Sequence, residues 1–198
     1  PMTKPTEQRR GTARKPDFLP LIADVFVDSG YRRATTAKLA EHCGVRQNEL
    51  YRIWPSKKAM FLDAIGYVFD VVSHDWKRAI QENTHLTAAE QLIDSQIKRR
   101  GDSRLHRIIF SGLNEVDDPD ICKALRTLYM QFHREIAGYV REHRQTRQLP
   151  DTLSDDAIAW TLIGLGSIFD IQQELGQGTL KQRREILGVT TLAILNFR

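Results

Sequence analysis

At 198 residues, 41% of them hydrophobic, the chain has material for one domain or two small ones with a substantial core, which excludes a disordered or low-complexity polypeptide. The formal net charge is +4, yet through Lys58 there are 12 Lys and Arg against 6 Asp and Glu, while the remainder is net −2. That asymmetry points to phosphate contact by one part of the molecule and away from a uniformly basic coat for nucleic acid or membrane.

Residues 1 to 15 carry Lys4, Arg9, Arg10, Arg14 and Lys15 against Glu7 with no apolar periodicity. They read as a disordered basic arm, either a solvated tail or a source of phosphate and minor-groove contacts. Asp17 is placed to cap a first helix with Leu19, Ile22, Ala23 and Phe26 on its inner stripe and Gly30 at its end. This helix is expected to start at or after Pro16, because Pro20 in its first turn has no N–H to offer the Pro16 carbonyl.

Thr35 to Lys57 reads as a helix-turn-helix. Thr36 is expected to cap the first of its helices, with Leu39, Ala40 and Cys43 inward, and Gly44 supplies the left-handed turn. Val45, Leu50, Ile53 and Trp54 continue the apolar spacing along a second short helix that Pro55 stops. Arg46, Gln47, Asn48, Tyr51 and Arg52 are left outward. Amides match the edge of adenine, arginine matches guanine, and the remaining cations and Tyr meet phosphate. Taken alone, such a helix is more often an ordinary solvated surface. Glu49 either accepts from a cytosine amino group or returns to the backbone N–H of Arg46 as the third-position acid of a capping box. The second is favoured, since a carboxylate is repelled by phosphates and stabilised at a helix N-terminus.

Ser56 caps a long helix to about Ile80, with Phe61, Ala64, Ile65, Val68, Val72 and Trp76 on one face. Thr87-x-x-Glu90 is a capping box opening another helix, which Gly101 closes. A segment from Asp102 to Asn114 follows, then a break at Asp117-Asp118-Pro119 and a second long helix through Ile121, Leu125, Leu128, Phe132, Ile136 and Tyr139. Two final helices, Ser154 to Leu175 and Leu180 to Phe197, are the most apolar segments, and the first must be covered on more than one face. No alternating strand pattern occurs. The expected fold is all-α: an N-terminal three-helix helix-turn-helix DNA-binding domain, residues 1–55 with the basic arm, followed by a helical bundle, residues 56–198, for ligand binding and dimerisation.

Enzymatic constellations were sought. A single Glu82-x-x-His85 falls short of the paired motifs of a di-iron bundle, and no phosphate loop, H-E-x-x-H or G-x-S-x-G is present. His106 and His133, with no acid or Cys partner apparent, read as interior hydrogen-bonders. The chain is therefore taken as a non-enzyme with no cofactor and no metal. Cys43 and Cys122 lie far apart and read as buried thiols in a reducing cytoplasm. The longest apolar run, Ala157 to Phe169, is too short to span a bilayer, and no secretory leader pattern is seen, so a cytoplasmic location without membrane partner is expected.

The pattern Phe26-x-x-x-Gly30-Tyr31, Thr35-Thr36, Leu39-Ala40, Gly44-Val45, Leu50-Tyr51-Arg52, Trp54-x-Ser56-Lys57 and Phe61 resembles the N-terminal DNA-binding domain of the TetR family of transcriptional regulators, over about a quarter of the chain. The resemblance implies a DNA-binding set of Thr35, Thr36, Arg46, Gln47, Asn48, Tyr51, Arg52 and Lys57, with Tyr51 and Lys57 on phosphates and Arg46, Gln47 and Asn48 nearest base edges. It also implies repression from a palindromic operator, bound as a homodimer and released by a small apolar or aromatic effector. Many members carry a small capping residue in place of Arg46, Gly in place of Asn48 and Thr or Ser in place of Glu49, so no base preference carries over. A regulator without a small ligand, or a helical enzyme with an incidental helix-turn-helix, are the alternatives.

One further expectation comes from the residues themselves, and a second follows from the mechanism that the resemblance implies. The surplus apolar face of the last two helices, with Gly164 and Ser167 permitting close approach, predicts a twofold dimer through Trp160, Gly164, Ser167, Ile168, Leu187 and Ile194, setting the two recognition helices about one DNA turn or somewhat more apart. The far end of the long helix predicts an interior cavity lined by some of Trp76, Ile93, Gln96, Ile109, Phe110, Met130, Phe132, His133 and Phe169, with Gln96 and His133 as hydrogen-bonders. The alternative is that these residues simply pack together.

Overall fold

The structure, a computed structural model, describes residues 15–80, 85–98, 104–149 and 153–195. These form nine helices: α1 (Lys15–Arg33), α2 (Thr36–His42), α3 (Gln47–Ile53), α4 (Lys57–Ala79), α5 (Ala88–Lys98), α6 (Arg104–Leu113), α7 (Pro119–Arg147), α8 (Asp155–Glu174) and α9 (Leu180–Leu195). No strand occurs among the described residues, and the all-α architecture is as expected. The basic arm lies outside them, apart from Lys15.

The caps explain most boundaries. Ser56 Oγ accepts from Ala59 N at 3.1 Å, Ser154 Oγ from Ala157 N at 3.1 Å, and Asp118 from the amides of Asp120 and Ile121, with Pro119 occupying the first turn where a missing N–H costs little. α1 differs from expectation at both ends. It begins at Lys15, which puts Asp17 inside the first turn rather than at the cap, and Pro20 falls beyond that turn. At Gly30 the backbone leaves helical values (φ 69°, ψ 165°), and a further turn follows to Arg33. Only glycine takes such a conformation without strain.

Two cores meet in the middle of the molecule. The first unites Ile22, Phe26, Leu39, Leu50 and Trp54 with Met60, Phe61 and Ile65 of α4, then continues into Ile108, Ile121 and Leu125. The apolar core thus runs across residue 55 without interruption, and the opening turns of α4 close the three-helix unit. The second core joins Ile93, Ile136, Val140, Ile158, Phe169 and Leu187, and Trp76 packs against both.

At the far end of the second core, α5 and α7 are joined by buried polar groups. Thr87 and Glu90 form the expected capping box, with Thr87 N donating to Glu90 Oε2 at 2.7 Å and Glu90 N to Thr87 Oγ1 at 3.3 Å. Thr87 Oγ1 also lies 2.8 Å from His143 Nδ1, and Arg147 forks onto both Glu90 oxygens at 2.8 Å. Burial alone would raise the Glu90 carboxyl, but Arg147 and the Thr87 amide hold it below its ordinary range.

The junction between α1 and α4 is aromatic: Phe61 meets Phe26 edge-on at 4.9 Å between ring centroids and Tyr31 at 4.6 Å. Phe61 is fully buried. Phe61→Ala is expected to lower stability by about 3–5 kcal/mol, read from urea unfolding followed by circular dichroism. A loss below about 1 kcal/mol would show that the junction repacks without it.

Candidate nucleic-acid interface and interior cavity

The turn between α2 and α3 is a Schellman closure, with Val45 N donating to the Ala40 carbonyl and Gly44 N to the Glu41 carbonyl, both at 3.0 Å. Gly44 sits at φ 67° with open space around its Cα, so it is the backbone conformation and not crowding that calls for glycine. The cap of α2 lies one residue earlier than expected. Thr35 Oγ1 accepts from Lys38 N at 3.2 Å, which leaves the Thr36 hydroxyl free to meet Tyr51 Oη at 3.0 Å across to α3. Those two hydroxyls sit side by side on the face that α3 presents. At the start of α3 the Glu49 carboxylate accepts from Arg46 N at 3.2 Å, the favoured capping arrangement, so Glu49 is turned to its own backbone.

Arg46, Gln47, Asn48 and Arg52 are exposed and make no side-chain hydrogen bond among the described residues, and Tyr51 is 46% exposed. Behind them Leu50 and Trp54 are buried, and Trp54 Nε1 donates to Asp63 at 2.6 Å, anchoring α3 on α4. Cys43 beside the turn is half-buried, and burial pushes its thiol up to about 11. It is a packing residue there.

Lys57 is placed differently from the other members of the set. Its ammonium donates to the carbonyls of Tyr31 at 2.9 Å and Ala34 at 3.1 Å and lies 4.5 Å from the centre of the Tyr31 ring. Two of its three N–H groups are thereby spent on the chain that leads from α1 into α2, so its first role is structural. The Gly30 turn also carries Tyr31 N to Ser111 Oγ at 2.8 Å and Arg32 to Glu115 at 2.8 Å, both on the C-terminal side of α6. Lys58 reaches Asp118 and Asp120 at the start of α7, at 3.2 and 2.6 Å. The reader is thus tied to the bundle at α1–α6 and at α4–α7.

α6 connects that junction with the interior. His106 and Ile109, from its earlier turns, help line a cavity of about 80 Å³ between α4, α5, α7, α8 and α9. Of the expected lining residues, Trp76, Ile93, Ile109, Phe132 and Phe169 are in its wall. Phe110, Met130 and His133 are not: Met130 is 41% exposed, and His133 Nε2 lies 3.2 Å from the Asp156 carbonyl with its ring against Trp160. The Gln96 side chain lies outside the described residues. Sequence reading missed Tyr129, Ser167 and above all the pair of His106 Nε2 with Asp170 Oδ2 at 3.1 Å. Asp170 lies two helices further along the chain than His106, with the whole of α7 between them, so no local spacing connects them.

Along α8 an apolar stripe faces outward, with Trp160, Ile168, Ile171 and Leu175 exposed and Gly164 open between them. Ser167 is only half-exposed and donates to the Ile163 carbonyl at 3.1 Å. Leu187, expected on the outer face, is instead 2% exposed and lines the cavity, because α9 turns that side onto the bundle. The Ile194 side chain lies outside the described residues. No described helix is long and apolar enough to cross a membrane.

A three-helix unit that presents a short polar helix with unpaired amides and guanidinium groups, braced on a helical bundle with an internal cavity, defines a helix-turn-helix DNA-binding regulator. Residues 21–64 match the profile of the tetR family of bacterial regulatory proteins. The chain is 29% identical over 153 residues to the nucleoid occlusion factor SlmA of Alteromonas mediterranea, covering 74% of this chain and 76% of that protein. A TetR-family transcriptional regulator from a Rhodococcus species has the same fold at a TM-score of 0.76 and 16% identity, over 91% of this chain and 97% of that one. FadR of Bacillus subtilis, solved in complex with stearoyl-CoA, superposes with a TM-score of 0.73 at 15% identity, over 91% of this chain and all of that one. The helix-turn-helix portion is thus that of the tetR family of bacterial regulatory proteins, and the chain as a whole shares the fold of TetR-family regulators.

The one-residue shift of the α2 cap has a measurable consequence. Thr35→Ala removes the acceptor for Lys38 N and should cost about 1 kcal/mol of stability, whereas Thr36→Val should leave the melting temperature near that of the parent. Equal effects in thermal melts would return the cap to Thr36.

Proposed function

We propose that the protein represses transcription as a homodimer bound to a palindromic operator and leaves it when a small molecule enters the bundle. The observation that carries this reading is the set of uncommitted side chains on α3: Arg46, Gln47, Asn48 and Arg52 make no side-chain hydrogen bond among the described residues and are presented outward by a helix locked from behind through Trp54. Gln47 and Asn48 with Arg46 meet base edges, the paired hydroxyls of Thr36 and Tyr51 with Arg52 meet phosphate, and Thr35 holds α2 in register. Lys57 contributes mainly by holding the chain between α1 and α2. Residues 1–55 act as the DNA-binding domain and 56–198 as the regulatory and dimerisation domain, joined by the shared core.

The exposed α8 stripe supports dimerisation, since Trp160, Ile168, Ile171 and Leu175 form one continuous apolar face that a twin helix crossing at Gly164 would cover. Control is supported by α6, which has one end in the cavity wall and the other hydrogen-bonded to the turn at Tyr31. A cavity of about 80 Å³ is small beside effector sites of roughly 300–1,000 Å³. A ligand must therefore enlarge it, and the enlarged setting, which moves α6 and α4, is the one the ligand prefers. The same small volume supports a second reading, a regulator that takes no small ligand and responds to abundance or to a protein partner.

Selection of bound duplexes from a randomised pool should yield an inverted repeat with half-sites about one helical turn apart. On that site Gln47→Ala is expected to cost on the order of 1–3 kcal/mol and to relax preference at one base pair, measured by fluorescence anisotropy across single-base variants. An unchanged preference would remove Gln47 from the base-reading set. Ile168→Asp should convert the dimer to monomer in sedimentation at micromolar concentration. A monomeric parent, or a dimer indifferent to this change, would sink the α8 interface.

A further inference from the structure

The described wall of the cavity is mostly apolar, and its few polar groups have a definite chemistry. Among the described lining residues it holds one carboxylate, Asp170, and neither lysine nor arginine. Asp170 faces His106 at 3.1 Å. The nearby Tyr129 hydroxyl is pushed up by burial and then by Asp170, so it stays protonated. Trp76 also lines the cavity, and its buried Nε1–H has no acceptor among the described residues. A buried donor without a partner is a standing cost that an incoming acceptor relieves. The neighbouring rings are already engaged, Trp76 and Phe69 each meeting Phe132 edge-to-face at 4.6 and 4.9 Å, which leaves less open ring face for a cation.

We infer that the cavity selects an uncharged, largely hydrocarbon molecule bearing an acceptor oxygen, such as a ketone or ester, whose oxygen accepts from Trp76 Nε1–H. This inference rests on the reading of the cavity as the effector site. A carboxylate or phosphate would be desolvated against Asp170. A plain hydrocarbon would leave the indole donor unpaired. An ammonium would meet that donor with the wrong sign and find Asp170 already facing His106.

Four probes of one size separate these cases: acetophenone, ethylbenzene, benzoate and benzylamine, each titrated calorimetrically into the full-length protein. Acetophenone should bind best, ethylbenzene about two- to tenfold more weakly, and the two ions more weakly still. Trp76→Phe should bring acetophenone down to the level of ethylbenzene, and Asp170→Asn should admit benzoate. Circular dichroism identifies a variant that fails to fold, in which case the Trp76→Phe comparison decides alone. Preference for benzoate or benzylamine, or equal binding of ethylbenzene and acetophenone, overturns the inference while leaving the cavity an effector site. Binding of none of the four overturns both.

Discussion

The break in α1 at Gly30 is the constraint on which the placement of the DNA reader depends. An unbroken helix would carry Tyr31 away from α4 and aim its N–H back along the helix axis. With φ at 69°, the chain instead sends Tyr31 onto Phe61, its N–H to Ser111 and its carbonyl to Lys57. Three helices that are neighbours only in space, α1, α4 and α6, are bound to one short turn. Each of these contacts is modest taken singly, about 0.5–1.5 kcal/mol for a neutral hydrogen bond, and their value lies in over-determining a single orientation.

This arrangement gives the proposed control a physical route between the interior and the DNA face. α4 gives one route: its Asp63 holds Trp54 beside the reader, and its Val72 and Trp76 reach the cavity. α6 provides a second, shorter route, since its residues bind the Gly30 turn at one end and the cavity at the other. A helix of ten residues is about 15 Å long and close to rigid, so displacement of Ile109 is passed to Ser111 within a single turn. A preference for one setting of the interior becomes a preference for one setting of the reader through packed, hydrogen-bonded contacts.

What the sequence made legible was chiefly local. The caps at Ser56 and Thr87 depend on residues within a turn of each other, and so do the Gly44 closure and the Glu49 return to Arg46. Among the local misreadings, Thr36 for Thr35 is a choice between two adjacent hydroxyls that only the position of Tyr51 resolves. A further capping box, Thr179 with Gln182, was also within reach of spacing and was passed over. Contacts across the fold were not legible. Lys57 looks like any surface lysine until the α1 carbonyls are seen beside it, and His106 acquires its acid partner only when α8 packs on α6. Leu187 shows the limit of apolar patterning: α9 is hydrophobic enough on several sides that composition does not say which side faces in. Helical periodicity identifies a stripe, but the register of packing assigns it to the interior or to a partner.

The polar staple at the far end of the bundle bears on how the molecule bends. Thr87, Glu90, His143 and Arg147 fasten the start of α5 to the end of α7, with charge-assisted bonds that resist shear more than apolar contacts do. α7 is thus fixed at both ends: by this clamp, and near its start by Ile121 and Leu125, buried in the first core, with Lys58 reaching Asp118 and Asp120. A load placed at mid-span on Phe132 is shared between the two supports, and the share carried by the second falls on α4, against which the DNA reader is packed.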